Sequence, residues 1–341
     1  MALPVYRPTV KRKDMGSVLS CIVSDKIGPG EIARDLVSRV THMLGHAGGI
    51  TLANSYLALS AALEALGLAG GDPVILPALA PALWLRVLQD RGLVPLVADV
   101  EPDAGTLDPQ QVAPLVQKGA RAILVPHTLG LIADIEALRT HGIPILEDAS
   151  QAFGGKSGEQ PCGSAADICL MALDPESIIT CGGGALVAAR TKTASAALRR
   201  IQDSSPLYSQ LPDMNAALGI SQLAALEDFV MARREIAAAF QQALLKSRHK
   251  PLIQKTDADN VLSSFPVALS DGMKDVRQYA LKKNIDTAPA FAGSIAALED
   301  SPAAHCGNAR SLVLRCLLFP LYPMLGKRDV EGVCRVLATL P

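Results

Sequence analysis

The sequence predicts an α/β fold: a mainly parallel seven-stranded sheet sandwiched by helices, followed by a small C-terminal α+β domain. Three observations carry this expectation. Short apolar runs alternate with stretches of helical spacing through the first two thirds of the chain, as in parallel strands covered on both faces. An alanine-rich segment from Met214 to about Lys246 repeats apolar residues at helical intervals and bridges onward. At 341 residues the chain exceeds a usual single core, which calls for one large and one small domain, drawn here as residues 1–235 and 236–341.

In chain order, the expected strands are Ile50–Ala53, Pro73–Pro77, Val94–Asp99, Ala122–Pro126, Ile143–Glu147, Ile168–Ala172 and Ala185–Ala189. Each is a brief apolar run of strand length bounded by polar or turn-forming residues. Between them, Ser55–Leu68, Pro81–Arg91, Pro109–Lys118 and Ile135–His141 carry helical spacing or helix starts. Asp108 before Pro109 reads as an N-cap followed by proline in the first turn. Beyond Leu252 the pattern becomes α+β, ending in a helix that Arg328 and Asp329 begin.

Composition narrows the function. Hydrophobic residues make up 49% and charged residues 19%, more apolar surface than a monomer exposes comfortably, so an oligomer is expected. A net charge of −1 without a basic stripe argues against a nucleic-acid partner. The start MALPVYRPTVKRKD has no apolar signal region. The best membrane candidate, Leu312 to Leu325, is broken by Arg315, Pro320 and Pro323, so a cytoplasmic protein without a membrane partner is expected. Seven cysteines at irregular spacing, with no C-x-x-C pair, read as reduced buried thiols, and no metal site is expected.

Two phosphate-loop lookalikes read as turns. Gly28-Pro-Gly30-Glu-Ile-Ala33 has the spacing of a dinucleotide fingerprint but no buried strand before it. Gly155-Lys156-Ser157 follows a strand, but the first P-loop glycine falls on Ser150 and turn formers follow where a helix should start.

Five segments carry a family resemblance. They are GPGEIARDLVSRV at Gly28–Val40, ILEDASQAFGG at Ile145–Gly155, DICLMALDPESIITCGGGA at Asp167–Ala185, the helix of Ala216–Leu245, and FPLYPMLGKRDVEGV at Phe319–Val333. In this order they resemble the DegT/DnrJ/EryC1/StrS sugar aminotransferases, which are pyridoxal-phosphate enzymes of fold type I. The resemblance covers nearly the whole chain and implies that fold.

It also implies a pocket with losses. The family segment D-I-x-x-F-S-F-x-P-x-K places its Schiff-base lysine on Ser177, whose hydroxyl cannot condense with an aldehyde. The aspartate that pairs with the pyridinium nitrogen matches Asp148, and the glutamine beside the ring matches Gln151. Asp148 read by itself serves equally well as a cap of the following helix. The phosphate-binding S-G-T becomes Asn54-Ser55-Tyr56, where the Tyr56 ring is expected to fill space that the phosphate needs and Ser55 keeps a helix N-terminus. The phosphate serine becomes Ala172, the stacking aromatic becomes Pro81, and the asparagine and arginine given across the dimer become Tyr208 and Gln210. Trp84, one turn after Pro81, reads as core. His127 matches a histidine near the ring and reads more readily as structural than as catalytic. Lys156 aligns with a surface lysine and replaces nothing. Asp174 and Glu176 add negative charge beside Ser177.

These losses lead to a degenerate homologue with no cofactor, which binds a nucleotide sugar or pairs with an active homologue as a homodimer or heterodimer in polysaccharide biosynthesis. The competing expectation is an enzyme that holds pyridoxal phosphate (PLP) or pyridoxamine phosphate (PMP) non-covalently and acts on a keto sugar as aminotransferase or dehydratase. Unrelated chemistry with Ser177 as nucleophile ranks last, since no histidine paired with a carboxylate is recognisable near it.

Overall fold

Strands form where the apolar runs are fully buried. The computed structural model describes residues 2–253 and 258–341. Its main sheet contains β1 (Gly48–Leu52), β2 (Pro73–Pro77), β3 (Val94–Ala98), β4 (Ala122–Pro126), β5 (Ile145–Asp148), β6 (Ile168–Ala172) and β7 (Ala185–Ala189). The order across the sheet is β1-β7-β6-β5-β4-β2-β3. The five neighbours from β6 to β3 run parallel, and β7 runs antiparallel to both of its neighbours. All seven expected strands are present, four with the expected bounds.

Helices cover both faces. They are α1 (Arg12–Val23), α2 (Glu31–Leu44), α3 (Ser55–Ala65), α4 (Ala82–Asp90), α5 (Val112–Gln117), α6 (Ile135–Arg139) and α7 (Lys192–Ser204), then α8 (Asp213–Leu223) and α9 (Leu226–Leu244). The single long helix expected from Met214 is therefore two, separated at Ala224 and Ala225. The expected division between residues 235 and 236 falls inside α9, which is uninterrupted there.

The C-terminal part holds a four-stranded antiparallel sheet of β8 (Lys250–Pro251), β9 (Phe265–Ala268), β10 (Ala288–Pro289) and β11 (Cys316–Phe319), in the order β8-β9-β11-β10. With it come α10 (Met273–Lys282), α11 (Gly307–Arg315) and α12 (Lys327–Leu337). Buried Arg233 on α9 fastens this part: its Nη1 donates to the carbonyls of Leu262, Ser263 and Leu321. Burial pushes this guanidinium down to about 10.

Both phosphate-loop lookalikes are turns with other duties. The α2 N-terminus after Gly30 is already occupied by a carboxylate, since Asp213 accepts from the amides of Ile32 and Ala33, the place an anion would take. Lys156 and Ser157 lie in a hairpin with Gln160–Pro161 that also pairs with Ala258–Asp259. Among the described residues no helix is long and apolar enough to cross a membrane.

Candidate active site

The carboxyl ends of parallel strands are where open α/β sheets receive ligands. In this sheet β4 and β5 finish level, with Pro126 opposite Asp148, while β6 continues two residues past Leu170, the partner of Asp148. Above these ends lies a cleft of about 380 Å³. The α3 N-terminus, the loop from Asp174 to Ser177, Tyr6, and residues of the 290–294 segment complete it. That last segment and the two residues after it are fixed to the connection from β2 into α4 by backbone bonds: Ala82 N–H to the Gly293 carbonyl, Ile295 N–H to the Ala80 carbonyl and Ala296 N–H to the Ala78 carbonyl.

Asp148 is the last residue of β5 and lines the cleft. Its Oδ1 accepts from the Ser150 amide at 2.9 Å and from the Ser150 hydroxyl. Oδ2 is left for the cleft. Burial raises the Asp148 carboxyl above the ordinary carboxylate range; the Ser150 bonds oppose this, and Asp174 adds to it. The Ser150 hydroxyl also accepts from the Ala172 amide at 2.7 Å, so one small side chain ties the ends of β5 and β6 together. On sequence grounds Ser150 stands only at the missing P-loop glycine position and has no part in the site.

Gln151 lies beside Asp148 in the cleft. Its Oε1 accepts from the Leu129 amide at 2.8 Å, and its amide nitrogen keeps two donors for a ligand. The bond holds Leu129 in the left-handed region at φ 57°, where a branched residue is strained. Gly130 follows at φ 94°, and a Cβ there would overlap the Val261 carbonyl oxygen.

His127 is placed differently. It is buried at the end of β4 and both ring nitrogens are engaged by the protein: Nδ1 accepts from the Ala133 amide at 3.1 Å, which leaves Nε2–H to donate to Glu147 Oε1 at 2.7 Å. With its lone pair occupied, it supports the cleft floor and is not a free base. Cys162 lies close to this pair, but a metal would need the lone pair that Ala133 holds, so the trio is not a ligand set. Burial raises the Cys162 thiol well above its ordinary value.

At the opposite end, Ser55 begins α3 and lines the cleft. Asn54 caps the helix by accepting from Leu57 N–H at 3.0 Å, so the amides of Ser55 and Tyr56 remain without helical acceptors. The expected obstruction by Tyr56 does not occur. Its hydroxyl donates to Asp90 on α4 at 2.8 Å, which turns the ring out of the cleft and raises the phenol. Pro81 and Trp84 both line the cleft, and Trp84 is buried as core.

Ser177 lies on the short turn closed by its own amide to the Asp174 carbonyl at 3.0 Å, and the next amide, Ile178, reaches the Ser150 carbonyl. Ser177, Asp174, Glu176 and Ala172 face the same cleft as Asp148. No lysine or arginine is among the described residues lining it. Lys156 is away in its hairpin. Tyr208 is 84% exposed and not part of the cleft of this chain.

A cleft over the carboxyl ends of this mostly parallel sheet, with an aspartate at the end of a central strand and a helix N-terminus across from it, defines a protein with the PLP-dependent transferase fold. Residues 8–338 match the DegT/DnrJ/EryC1/StrS aminotransferase family, and the chain belongs to it. Solved structures agree on the fold. Spr1654 of Streptococcus pneumoniae, a proposed sugar aminotransferase, is similar in its PLP form with TM-score 0.91 and 18% identity, covering 99% of this chain and 98% of that one. A GDP-4-keto-6-deoxymannose-3-dehydratase with bound GDP-perosamine has TM-score 0.89 and 17% identity over 98% of this chain and 99% of that one. DesV of S. venezuelae has TM-score 0.86 and 24% identity over 96% and 93%.

The expectation of no cofactor is overturned by these findings. The family is one of PLP-dependent enzymes, and Spr1654 is described in both PLP and PMP forms. The physical reason lies in the cleft: Tyr56 leaves the α3 N-terminus clear, Ser55 and two amides remain there, and Asp148 and Gln151 keep donors and acceptors for a ring. Asp174 and Glu176 are exposed, so their repulsion of a phosphate falls toward the aqueous limit of about 1 kcal/mol per pair at 4 Å. The residues present fit a phosphopyridoxyl group.

Proposed function

We propose that this protein holds PLP or PMP non-covalently and recognises a nucleotide-linked keto sugar, as a sugar aminotransferase relative without the lysine linkage. The observation that carries the reading is that the cleft stays open from Asp148 to Ser177. When bound, the group would supply an electron sink next to a reacting sugar carbon. Asp148 would accept the ring N–H at Oδ2, Gln151 would donate along the ring edge, and Ser55 with the first α3 amides would hold the phosphate. Ser177 has no acid or base strength near neutral pH, so a proton transfer there falls to another carrier. The proposed setting is cytoplasmic polysaccharide biosynthesis.

Titration with PLP and with PMP, followed by borohydride reduction and intact-protein mass measurement, tests this. The expected result is saturable binding with no mass gain after reduction. Ser177→Lys is expected to acquire the reduced adduct with PLP. A mass gain on the unaltered chain, or no binding of either compound at millimolar concentration, would overturn the reading.

A dimeric form, with itself or with an active homologue, is the second part of the proposal. It is supported by Leu207 and Tyr208, 63% and 84% exposed on the loop before α8, since large apolar side chains left uncovered next to one another mark contact surfaces.

A further inference from the structure

Asp174 and Glu176 flank Pro175 at the mouth of the cleft, and both line it together with Ser177 and Asp148. Neither takes part in an ion pair among the described residues. A second observation is independent of these charges. Thr128 and Ser294, 7% and 4% exposed, line the same cleft, and their hydroxyls have no hydrogen-bond partner among the described residues. Among the described residues the lining thus combines three carboxylates and two buried, unpartnered hydroxyls with no arginine or lysine. A ligand that complements the carboxylates brings a positive charge and several N–H donors.

We propose that Asp174 and Glu176 select the amine form of the phosphopyridoxyl group, holding its primary ammonium beside Ser177. This rests on the non-covalent reading above. The aldehyde form brings an acceptor and no charge to a lining already rich in acceptors. The amine form brings three donors and a charge, which carboxylates bind in charge-assisted bonds. Both carboxylates are exposed, so water limits the gain.

The test compares PMP with pyridoxine 5′-phosphate, which carries a neutral hydroxyl in place of the ammonium, and with PLP, by calorimetry on the full chain. PMP is expected to bind about five- to ten-fold tighter than pyridoxine 5′-phosphate, the scale of one or two exposed ion pairs. In Asp174→Asn/Glu176→Gln that ratio is expected to fall to about one, with pyridoxine 5′-phosphate bound as well as before or better because phosphate repulsion is relieved. Equal affinities in the unaltered protein, or a preference that survives both substitutions, would overturn the inference while leaving the cofactor reading intact. Absence of binding by all three would instead remove that reading and this one with it.

Discussion

Ser150 shows how much of the candidate site rests on one oxygen. Its hydroxyl donates to Asp148 and accepts from the Ala172 amide, so Ser150→Ala leaves a buried-side N–H without a partner and strips one donor from the carboxylate. The expected cost is about 1–2 kcal/mol in urea unfolding, with PMP affinity several-fold weaker. Asp148 itself gives a pH signature. Burial lifts its carboxyl above the ordinary 3.8, so between 3.8 and the raised value folding takes up a proton. Stability then falls as pH climbs through that window, and the loss is complete above it. Asp148→Asn removes the titration: relative to the unaltered protein, the ligand-free variant is expected to gain stability as pH is raised from about 3 to 7, while binding PMP at least ten-fold more weakly. A pH series of melting temperatures with and without PMP checks both halves.

At the scale of the element, the loop after β4 is the most constrained part of the cleft. Gln151 restrains Leu129 at a positive φ, and Gly130 packs against the Val261 carbonyl. Gly130→Ala combines a disfavoured backbone with an overlap that backbone atoms cannot relieve, and is expected to cost about 3 kcal/mol or more in denaturant unfolding. The sequence showed the strands of this layer well, because Pro73–Pro77, Ala122–Pro126, Ile168–Ala172 and Ala185–Ala189 are buried apolar runs with turn formers at their ends. It did not show the break at Ala224 and Ala225, since two alanines carry no stop signal. Nor did it show where the Tyr56 ring points, which depends on Asp90, 34 residues away. A resemblance supplies which residues meet; it does not supply the direction a substituted side chain takes among new neighbours.

At the scale of the whole molecule, the antiparallel placement of β7 and the cleft over β4, β5 and β6 follow from long-range pairing, which periodicity along the chain cannot display. The family resemblance implied a mainly parallel seven-stranded sheet, but neither the reversed strand nor the strands beneath the cleft were read from it. The proposed dimer belongs to this scale. Tyr208→Glu places a charge on the exposed loop and is expected to shift sedimentation from dimer toward monomer without changing the melting temperature of the dilute protein; an unchanged dimer would place the contact elsewhere.

The backbone bonds that fix residues 293–296 to residues 78–82 also limit how far the cleft can widen. Gly293 and Ser294 belong to its wall, so prising that wall outward would break backbone pairing, and a bulkier guest has to be accommodated by side-chain movement elsewhere in the lining.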